Sequence, residues 1–274
     1  MGRASRFLAF ALLALGMVPG AAVGQGSTFS GVSVLQQMHD AYAGRWYSSL
    51  TFTQRTTSRG RDGAEQVGTW YESLRYTPPT GTQLRIDTGD PAAGNGALYS
   101  GDSTWIMGAG KVVAARLGGN ALLPLIEGVY MQPVERTVTE LAASSIDLHR
   151  SVIAGRWNDR DVWIVGATSR SDTTSPQFWV DQERNIVVRA ILAPAPSLPK
   201  MDVRLDDVVS LAGGWLATKC TFLVNWVPAQ VEEYTGWKAN GKLADALFDV
   251  ASWTTAPHWA TAGTPATPGA RGGR

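Results

Sequence analysis

The 274-residue sequence contains a single cysteine, Cys220, so no disulfide can form within the chain. Charged residues are also few: they make up 17% of the chain, against about 25% in an average soluble protein. The 24 basic and 23 acidic residues nearly balance, which argues against a polybasic nucleic-acid binder. A chain of this length buries about 70–75% of its unfolded surface, so it needs no disulfide or metal to fold.

The three histidines are too far apart in sequence to suggest a metal site. None of His39, His149 and His258 has a second His or Cys at the spacing of metal ligands. The simplest interpretation of His39 is a solvated position on the first predicted helix. We therefore predict neither a metal nor a cofactor.

Catalytic motifs are missing as well. The sequence has no Gly-x-Ser-x-Gly motif, and Cys220 lies in a predicted apolar strand with no base beside it, which is typical of a core cysteine. The adjacent acids Asp206-Asp207 and Glu232-Glu233 point to opposite faces of a strand, so neither pair can serve one substrate as acid and base. We expect both pairs at solvated positions and predict that the protein is not an enzyme. A hydrolase whose residues meet only in three dimensions is the least favoured alternative.

Residues 1–24 resemble a secretory signal peptide. Arg3 and Arg6 precede an apolar run over residues 7–15, and small side chains end at Gly24, before a cleavage point. The run is shorter than the about 20 residues that span a bilayer, and no cysteine near the cleavage point could carry a lipid. After cleavage 22 basic and 23 acidic residues remain, a net charge of −1. We predict a periplasmic or otherwise exported protein whose mature chain has no transmembrane segment.

Hydrophobic periodicity predicts one mainly β (α+β) domain over residues 29–259. A helix is expected over residues 32–43, and the pattern then changes to the alternation of antiparallel strands separated by glycine turns. The predicted order is a helix, about five strands, two helices (residues 120–129 and 134–143) and about six strands. Residues 260–274 are rich in Gly, Ala, Thr and Pro and are predicted to be a disordered tail.

Tryptophan is unusually abundant, with 11 copies, seven of them on predicted strands. Several of these strands carry large apolar side chains on both faces, as the neighbours Trp105-Ile106 and Phe178-Trp179 illustrate. A half-exposed antiparallel sheet normally alternates apolar with polar residues. Two explanations fit this pattern: a filled sandwich, or a curved sheet whose concave face is covered by helices around a ligand-sized apolar space.

Short motifs along residues 32–250 resemble the periplasmic lipoprotein carriers of the LolA type, the outer-membrane lipoprotein-sorting superfamily. The motifs are Phe52-Thr53-Gln54, Gly68-Thr69-Trp70-Tyr71, Leu84-Arg85-Ile86-Asp87, the segment 95–106 and the strand pair 178–189. The resemblance implies an incomplete antiparallel β-barrel of about 11 strands, with helices covering an apolar concave face that holds acyl chains. The sequence has no clear equivalent of the arginine that holds the family's lid; Arg45 is an unaligned candidate for it. The sequence departs from the family pattern in its many tryptophans.

The resulting hypothesis is a soluble, exported carrier of lipid or lipoprotein, with a role in outer-membrane lipoprotein sorting. Its partners would be lipid acyl chains or a lipoprotein, and not a nucleic acid. The alternative is a cell-envelope protein-interaction module that carries no lipid. The side chains expected to line a lipid-binding cavity are apolar and lie on a predicted strand or covering helix; they are Phe52, Trp70, Leu84, Ile86, Trp105, Leu122, Leu125, Ile126, Phe178, Val180 and Val188.

Overall fold

The structure, a computed structural model, describes residues 29–60, 62–193 and 200–261. The predicted signal peptide, a proline-rich segment at residues 194–199 and residues 262–274 of the predicted tail lie outside the described residues. Within the described ranges, no helix is both long and apolar enough to cross a membrane.

One open sheet of thirteen antiparallel strands makes up most of the described chain. In chain order the strands are β1 (Ser49–Arg59), β2 (Glu65–Thr77), β3 (Gly81–Thr88), β4 (Gly96–Ser100), β5 (Ser103–Gly108), β6 (Lys111–Leu117), β7 (Ile153–Trp157), β8 (Arg160–Val165), β9 (Gln177–Asp181), β10 (Ile186–Leu192), β11 (Met201–Leu211), β12 (Gly214–Val224) and β13 (Val227–Ala239). The order across the sheet is β6-β5-β4-β3-β2-β1-β13-β12-β11-β10-β9-β8-β7, so β6 and β7 are its two edges. The mainly β, incomplete-barrel prediction is therefore confirmed.

Strand β1 lies at the centre of the sheet because it pairs with both β2 and β13. Every other pairing joins strands that follow one another in the chain, so each half of the sheet is a meander built from local turns. On β1 alternate side chains are buried on one face, which we call the inner face; they are Leu50, Phe52, Gln54 and Thr56. The pairing of the first strand with the last joins the two halves into one core.

Helix α1 (Gly31–Tyr42) packs beside the sheet and confirms the first predicted helix. Ser30 and Ser33 form a capping box at its start, which satisfies backbone N–H groups that the helix leaves free. Its buried side chains are Val34, Leu35 and Met38, spaced one helical turn apart. The helix contacts β8 of the sheet.

Residues 120–131, the lid segment, follow edge strand β6. The regular helix predicted over residues 120–129 is replaced by a turn of π-helix (Pro124–Gly128) that continues into the short helix α2 (Val129–Met131). Pro124 lacks the N–H that a helix through this point would need, so helical structure starts there. Helix α3 (Val134–Ala142) follows as predicted, and α1 contacts both α2 and α3.

Strand β11 is missing from the sequence prediction, which is one reason why the sheet exceeds the expected 11 strands. The predicted order contains no strand over residues 201–211, although the interpretation of the acidic pair Asp206-Asp207 places these two residues on a strand. In the structure Asp207 has a positive φ of 53°, and the pairing with β12 skips this residue. The register is the same on both sides of Asp207, with Asp206 opposite Lys219 and Val208 opposite Ala217, so the strand continues through this point.

The outer face of the sheet has its own cover, the C-terminal strap, residues 243–261. Leu247, Phe248 and Trp253 of this strap pack against Leu98 of β4 and Met107 of β5 in a second apolar cluster. Both faces of this part of the sheet are therefore buried, which explains why its strands carry large apolar side chains on both sides.

A buried ion pair on β3 holds the strap. The Arg85 guanidinium donates two hydrogen bonds of 2.7 Å to the Asp87 carboxylate and two more to the carbonyl oxygens of Leu247 and Trp253. It also lies 3.8 Å from the centroid of the Trp253 ring. His258 Nε2 lies 3.1 Å from the same carboxylate. One charged pair thus contacts three parts of the strap.

We expect Asp87→Ala to lower the free energy of unfolding by about 3–5 kcal/mol, because it leaves the buried Arg85 charge without its partner. Urea denaturation measures this change. The control is Glu65→Ala, which breaks the exposed Arg59–Glu65 pair and should cost less than about 1 kcal/mol. Equal losses in the two variants would show that Arg85 and Asp87 do not hold the strap.

Candidate functional site

A cavity of about 750 Å³ lies between the inner face of the sheet and the lid segment. Small-molecule sites typically have volumes of about 300–1,000 Å³. Most of the wall is apolar and comes from strands in both halves of the sheet and from the lid; it includes Leu50, Phe52, Leu74, Leu84, Ile86, Leu122, Ile126, Val187, Leu205 and Phe222. Of the two explanations for the apolar strands, the inner face therefore fits the one with a ligand-sized space.

Strand register brings the floor of the cavity together. Leu50 pairs with Leu74, and Leu74 pairs with Leu84, so three leucines lie side by side on β1, β2 and β3. The same row continues through Tyr99 on β4 and ends at Arg116 on the edge strand. Because paired residues project to the same face, one row runs from the centre of the sheet to its edge.

The rim of the cavity lies at the end of β6. Arg116 and the four residues that follow it all line the cavity, and Leu117 is 83% exposed. An exposed residue in the wall indicates that the cavity opens to solvent here. The rim continues directly into the lid segment, so movement of the lid would widen this opening.

A buried carboxyl group latches the lid segment to the start of β1. Glu127 Oε2 accepts a hydrogen bond from Trp46 Nε1, and Oε1 accepts one from the Tyr47 hydroxyl, both at 2.8 Å. Tyr130 of the lid stacks on Trp46 with ring centroids 3.8 Å apart. Burial raises the pKa of Glu127 from 4.5 to about 8, although both hydrogen bonds oppose the shift. The latch therefore consists of a neutral carboxyl group at neutral pH.

Gly214, at the start of β12, makes room for the indole of this latch. A Cβ at this position would lie 2.7 Å from the Trp46 ring, closer than any normal contact. The absence of a side chain lets the indole pack flat against the sheet and direct its N–H at Glu127.

Two expectations for this region are wrong. Arg45, the unaligned candidate for the lid-holding arginine, donates to the Ala41 carbonyl of α1 and makes no hydrogen bond or ion pair with the lid among the described residues. His39 is not simply solvated, because its Nδ1 lies 3.0 Å from the Val129 carbonyl oxygen of α2. The lid is held by Glu127, Trp46 and Tyr47 instead.

Two carboxyl groups interrupt the apolar wall, and we call Glu72 and Glu232 the carboxyl pair. Glu72 lies on β2 and Glu232 on β13; both line the cavity, and each is only 7% exposed. Glu232 accepts hydrogen bonds from the Tyr234 hydroxyl at 2.6 Å and from Gln230 Nε2 at 2.5 Å. The expectation that Glu232 is solvated is therefore wrong, whereas its neighbour Glu233 points outward to Arg55.

Burial, and after it the charge of Glu232, raises the pKa of Glu72 well above its ordinary value. Burial also raises the pKa of Glu232, against the hydrogen bonds from Tyr234 and Gln230. Cys220 pairs with Glu232 in the register, and burial raises the pKa of its thiol. The thiol is therefore protonated and buried, as expected of a core cysteine. Within the part of the chain that the structure describes, no three His, Cys, Asp or Glu residues are grouped as metal ligands.

The structure places six of the eleven predicted cavity residues on the cavity wall: Phe52, Trp70, Leu84, Ile86, Leu122 and Ile126. The other five do not line it. Trp105 projects to the outer face and packs in the cluster under the strap. Leu125 is fully buried on the far side of the lid helix from Ile126, and Phe178, Val180 and Val188 belong to the filled core.

The five misplaced residues fail for one physical reason: the sequence shows that a side chain is buried, but not what buries it. Phe178 pairs with Val165 of β8, beside the region that α1 covers, so that end of the sheet is filled. Trp105 pairs with Leu98, which faces the strap. The polar residues Glu72, Glu127 and Glu232 were missed because a lone glutamate in a strand or helix is usually solvated.

Comparison with known proteins identifies the fold. No protein-family model matches the sequence, and no curated protein matches it either. Among solved structures, the chain is similar to an outer membrane lipoprotein-sorting protein domain from Vibrio parahaemolyticus, with a TM-score of 0.56 and 11% identity over 82% of this chain and 98% of that chain. It is also similar to a DUF1329 family protein from Desulfovibrio piger, with a TM-score of 0.52 and 13% identity over 80% and 95% of the two chains. A LolA superfamily protein from Nitrosomonas europaea aligns with a TM-score of 0.49 and 14% identity over 80% and 97%.

The first two structures show that the predicted resemblance to lipoprotein-sorting proteins holds at the level of the fold. The order of a helix, an antiparallel sheet and covering helices is what the sequence motifs predicted. At 11–13% identity the similarity is one of architecture, and fold alone does not determine function.

We expect the stability of the protein to fall as the pH rises from about 5 to 8, in part because of Glu127. Its carboxyl group has a pKa of about 8 in the folded chain and 4.5 ordinarily, so the unfolded chain releases the proton earlier and is favoured as the pH rises. Urea denaturation of the wild type and of Glu127→Gln across this range measures the effect. The variant keeps a neutral polar group and should show a shallower slope, whereas parallel curves would contradict the raised pKa.

Proposed function

We propose that the protein is an exported, periplasmic carrier that binds the apolar chains of a lipid or lipoprotein in its cavity. Within that function, we propose a role in outer-membrane lipoprotein sorting. The observation that carries the proposal is the unfilled apolar space between the inner face and the lid segment. The structural neighbour from Vibrio parahaemolyticus, itself a lipoprotein-sorting protein domain, supports it by analogy of fold.

The energetics suit an acyl chain. Each buried CH₂ group contributes about 0.8 kcal/mol, and binding must first offset the loss of translational and rotational freedom. A single long chain gives reversible binding under these terms. Reversible binding is what a carrier needs.

We expect affinity for straight-chain alcohols to rise about fourfold with each added CH₂ until the cavity is full. Displacement of an apolar fluorescent probe measures the series. Native mass spectrometry of protein purified without strong detergent should also show bound lipid. No binding of any chain length would overturn the proposed function.

A matched pair of substitutions locates the binding. Ile126→Asp places a charge in the cavity wall and should weaken chain binding by about tenfold or more, because the carboxylate loses its hydration when a chain enters. Val67→Asp puts the same group at a position that is 59% exposed and outside the cavity, so it should leave affinity unchanged. Equal effects would place the binding site elsewhere.

A second candidate function, an interaction module of the cell envelope, is favoured by edge strand β6. All seven of its residues are exposed, with Val113 at 65% and Leu117 at 83%, and no described strand pairs with its outer side. An exposed apolar edge is a template for strand addition by another chain. Native mass spectrometry separates the two candidates, because a carrier retains lipid and an interaction module retains a protein.

A further inference from the structure

The carboxyl pair is the feature of the cavity that chain binding does not explain. Burying a polar group costs free energy unless it finds a hydrogen-bond partner, and burying a charge costs more. A cavity built only for acyl chains would gain stability from leucine at both positions. The pair therefore needs a ligand-based explanation.

The two members of the pair differ in their partners. Glu232 has the Tyr234 hydroxyl and the Gln230 amide as donors. Glu72 makes no hydrogen bond or ion pair with any residue that the structure describes, although its side chain is 93% buried and lines the cavity. A buried carboxyl group that faces open space without a partner is positioned to contact whatever fills that space.

A second acceptor, the side chain of Gln54, lies on β1 between the strands of the carboxyl pair. Gln54 pairs with Trp70 on one side and Tyr234 on the other, so it lies between the strands that carry Glu72 and Glu232. Its Nε2 donates to Thr56, while its buried Oε1 has no partner in the described part of the chain. Gln54 Oε1 and the ionised form of Glu72 are thus acceptors that no described residue pairs with, so the group that would pair with both is a hydrogen-bond donor.

The charge of the carboxyl pair indicates what kind of hydrogen-bond donor would bind there. Burial and the charge of Glu232 both raise the pKa of Glu72, so the two groups are not readily ionised together. A cation between them would favour the ionised form of both, and a charge-assisted hydrogen bond is about twice as strong as a neutral one. Arg116 does not serve as that cation, because it makes no ion pair with a described residue and lies at the exposed rim.

We propose that the cavity selects amphiphiles with an amine-bearing headgroup, the ammonium contacting Glu72 and Glu232 while the chain lies on the apolar floor. This inference rests on the proposed function, because it assumes that chains enter the cavity. It adds a headgroup class to that function: long-chain amines bind more tightly than alcohols or carboxylates of the same length.

The experiment compares dodecylamine, dodecanol and dodecanoate at neutral pH, where the amine is protonated. Displacement of an apolar fluorescent probe from the full mature protein gives the three affinities. We expect the amine to bind at least about tenfold more tightly than the alcohol, the gain of one charge-assisted hydrogen bond in a buried site.

Three variants test which carboxyl groups bind the headgroup. Glu72→Gln and Glu232→Gln should each lower the ratio of amine affinity to dodecanol affinity from about tenfold or more to within about twofold. The control is Glu233→Gln, next to Glu232 on the opposite face and paired with Arg55, which should keep the full preference. Binding of dodecanol by each variant shows that it is folded.

The outcomes are distinguishable. If none of the three ligands binds, the proposed function fails and the headgroup inference fails with it. If all three bind equally well, the chain-binding function stands and the headgroup inference is overturned. Tighter binding of dodecanoate would also overturn the inference, because it would assign headgroup recognition to Arg116 at the rim. An amine preference that survives in both cavity variants would exclude the carboxyl pair as its source.

Discussion

The fold depends on one constraint: a sheet with apolar side chains on both faces must have both faces covered. The strap covers the outer face over β4 and β5, and helices and the lid segment cover the inner face. Each cover is attached through a buried polar group, Glu127 for the lid and the pair Arg85 and Asp87 for the strap. Apolar packing supplies area, and these polar contacts determine where each cover lies.

The strap and the lid segment are attached to the sheet by different kinds of polar contact, and the difference fits the role of each in the proposed carrier. The strap is held by a permanent charge pair with a stacked indole, and removal of either charge leaves the other buried and unpaired. The lid is held by one carboxyl group that is neutral below about pH 8 and accepts two hydrogen bonds. Neutral hydrogen bonds contribute less than charged ones, so the polar attachment of the lid is the weaker of the two. In the proposed carrier the lid controls entry, and the strap is part of the scaffold.

The carboxyl groups in the cavity wall lower the stability of the fold, and a role in ligand binding would explain why they are there. Glu72 and Glu232 are buried in the wall of an otherwise apolar space, where both lose hydration. Local rules of core packing favour apolar residues at such positions, and departures from those rules concentrate at functional sites. Cys220, which pairs with Glu232, follows the ordinary pattern of a buried thiol and adds no reactivity.

Local periodicity was enough to predict most strands, helices α1 and α3 and the mainly β class, because alternation is a property of neighbouring residues. It failed at β11, where the acidic pair Asp206-Asp207 lies in the strand and Asp207 has a positive φ, and at the lid, where a turn of π-helix begins at Pro124. The chain's own sequence thus determined which side chains are apolar enough to be buried. Only the tertiary structure decided which of them face the cavity, the strap or a filled core, and which glutamates join them. The tendency of a side chain to be buried depends on its residue type. The residues that bury it are determined by pairing between strands that are distant in sequence, such as β1 and β13.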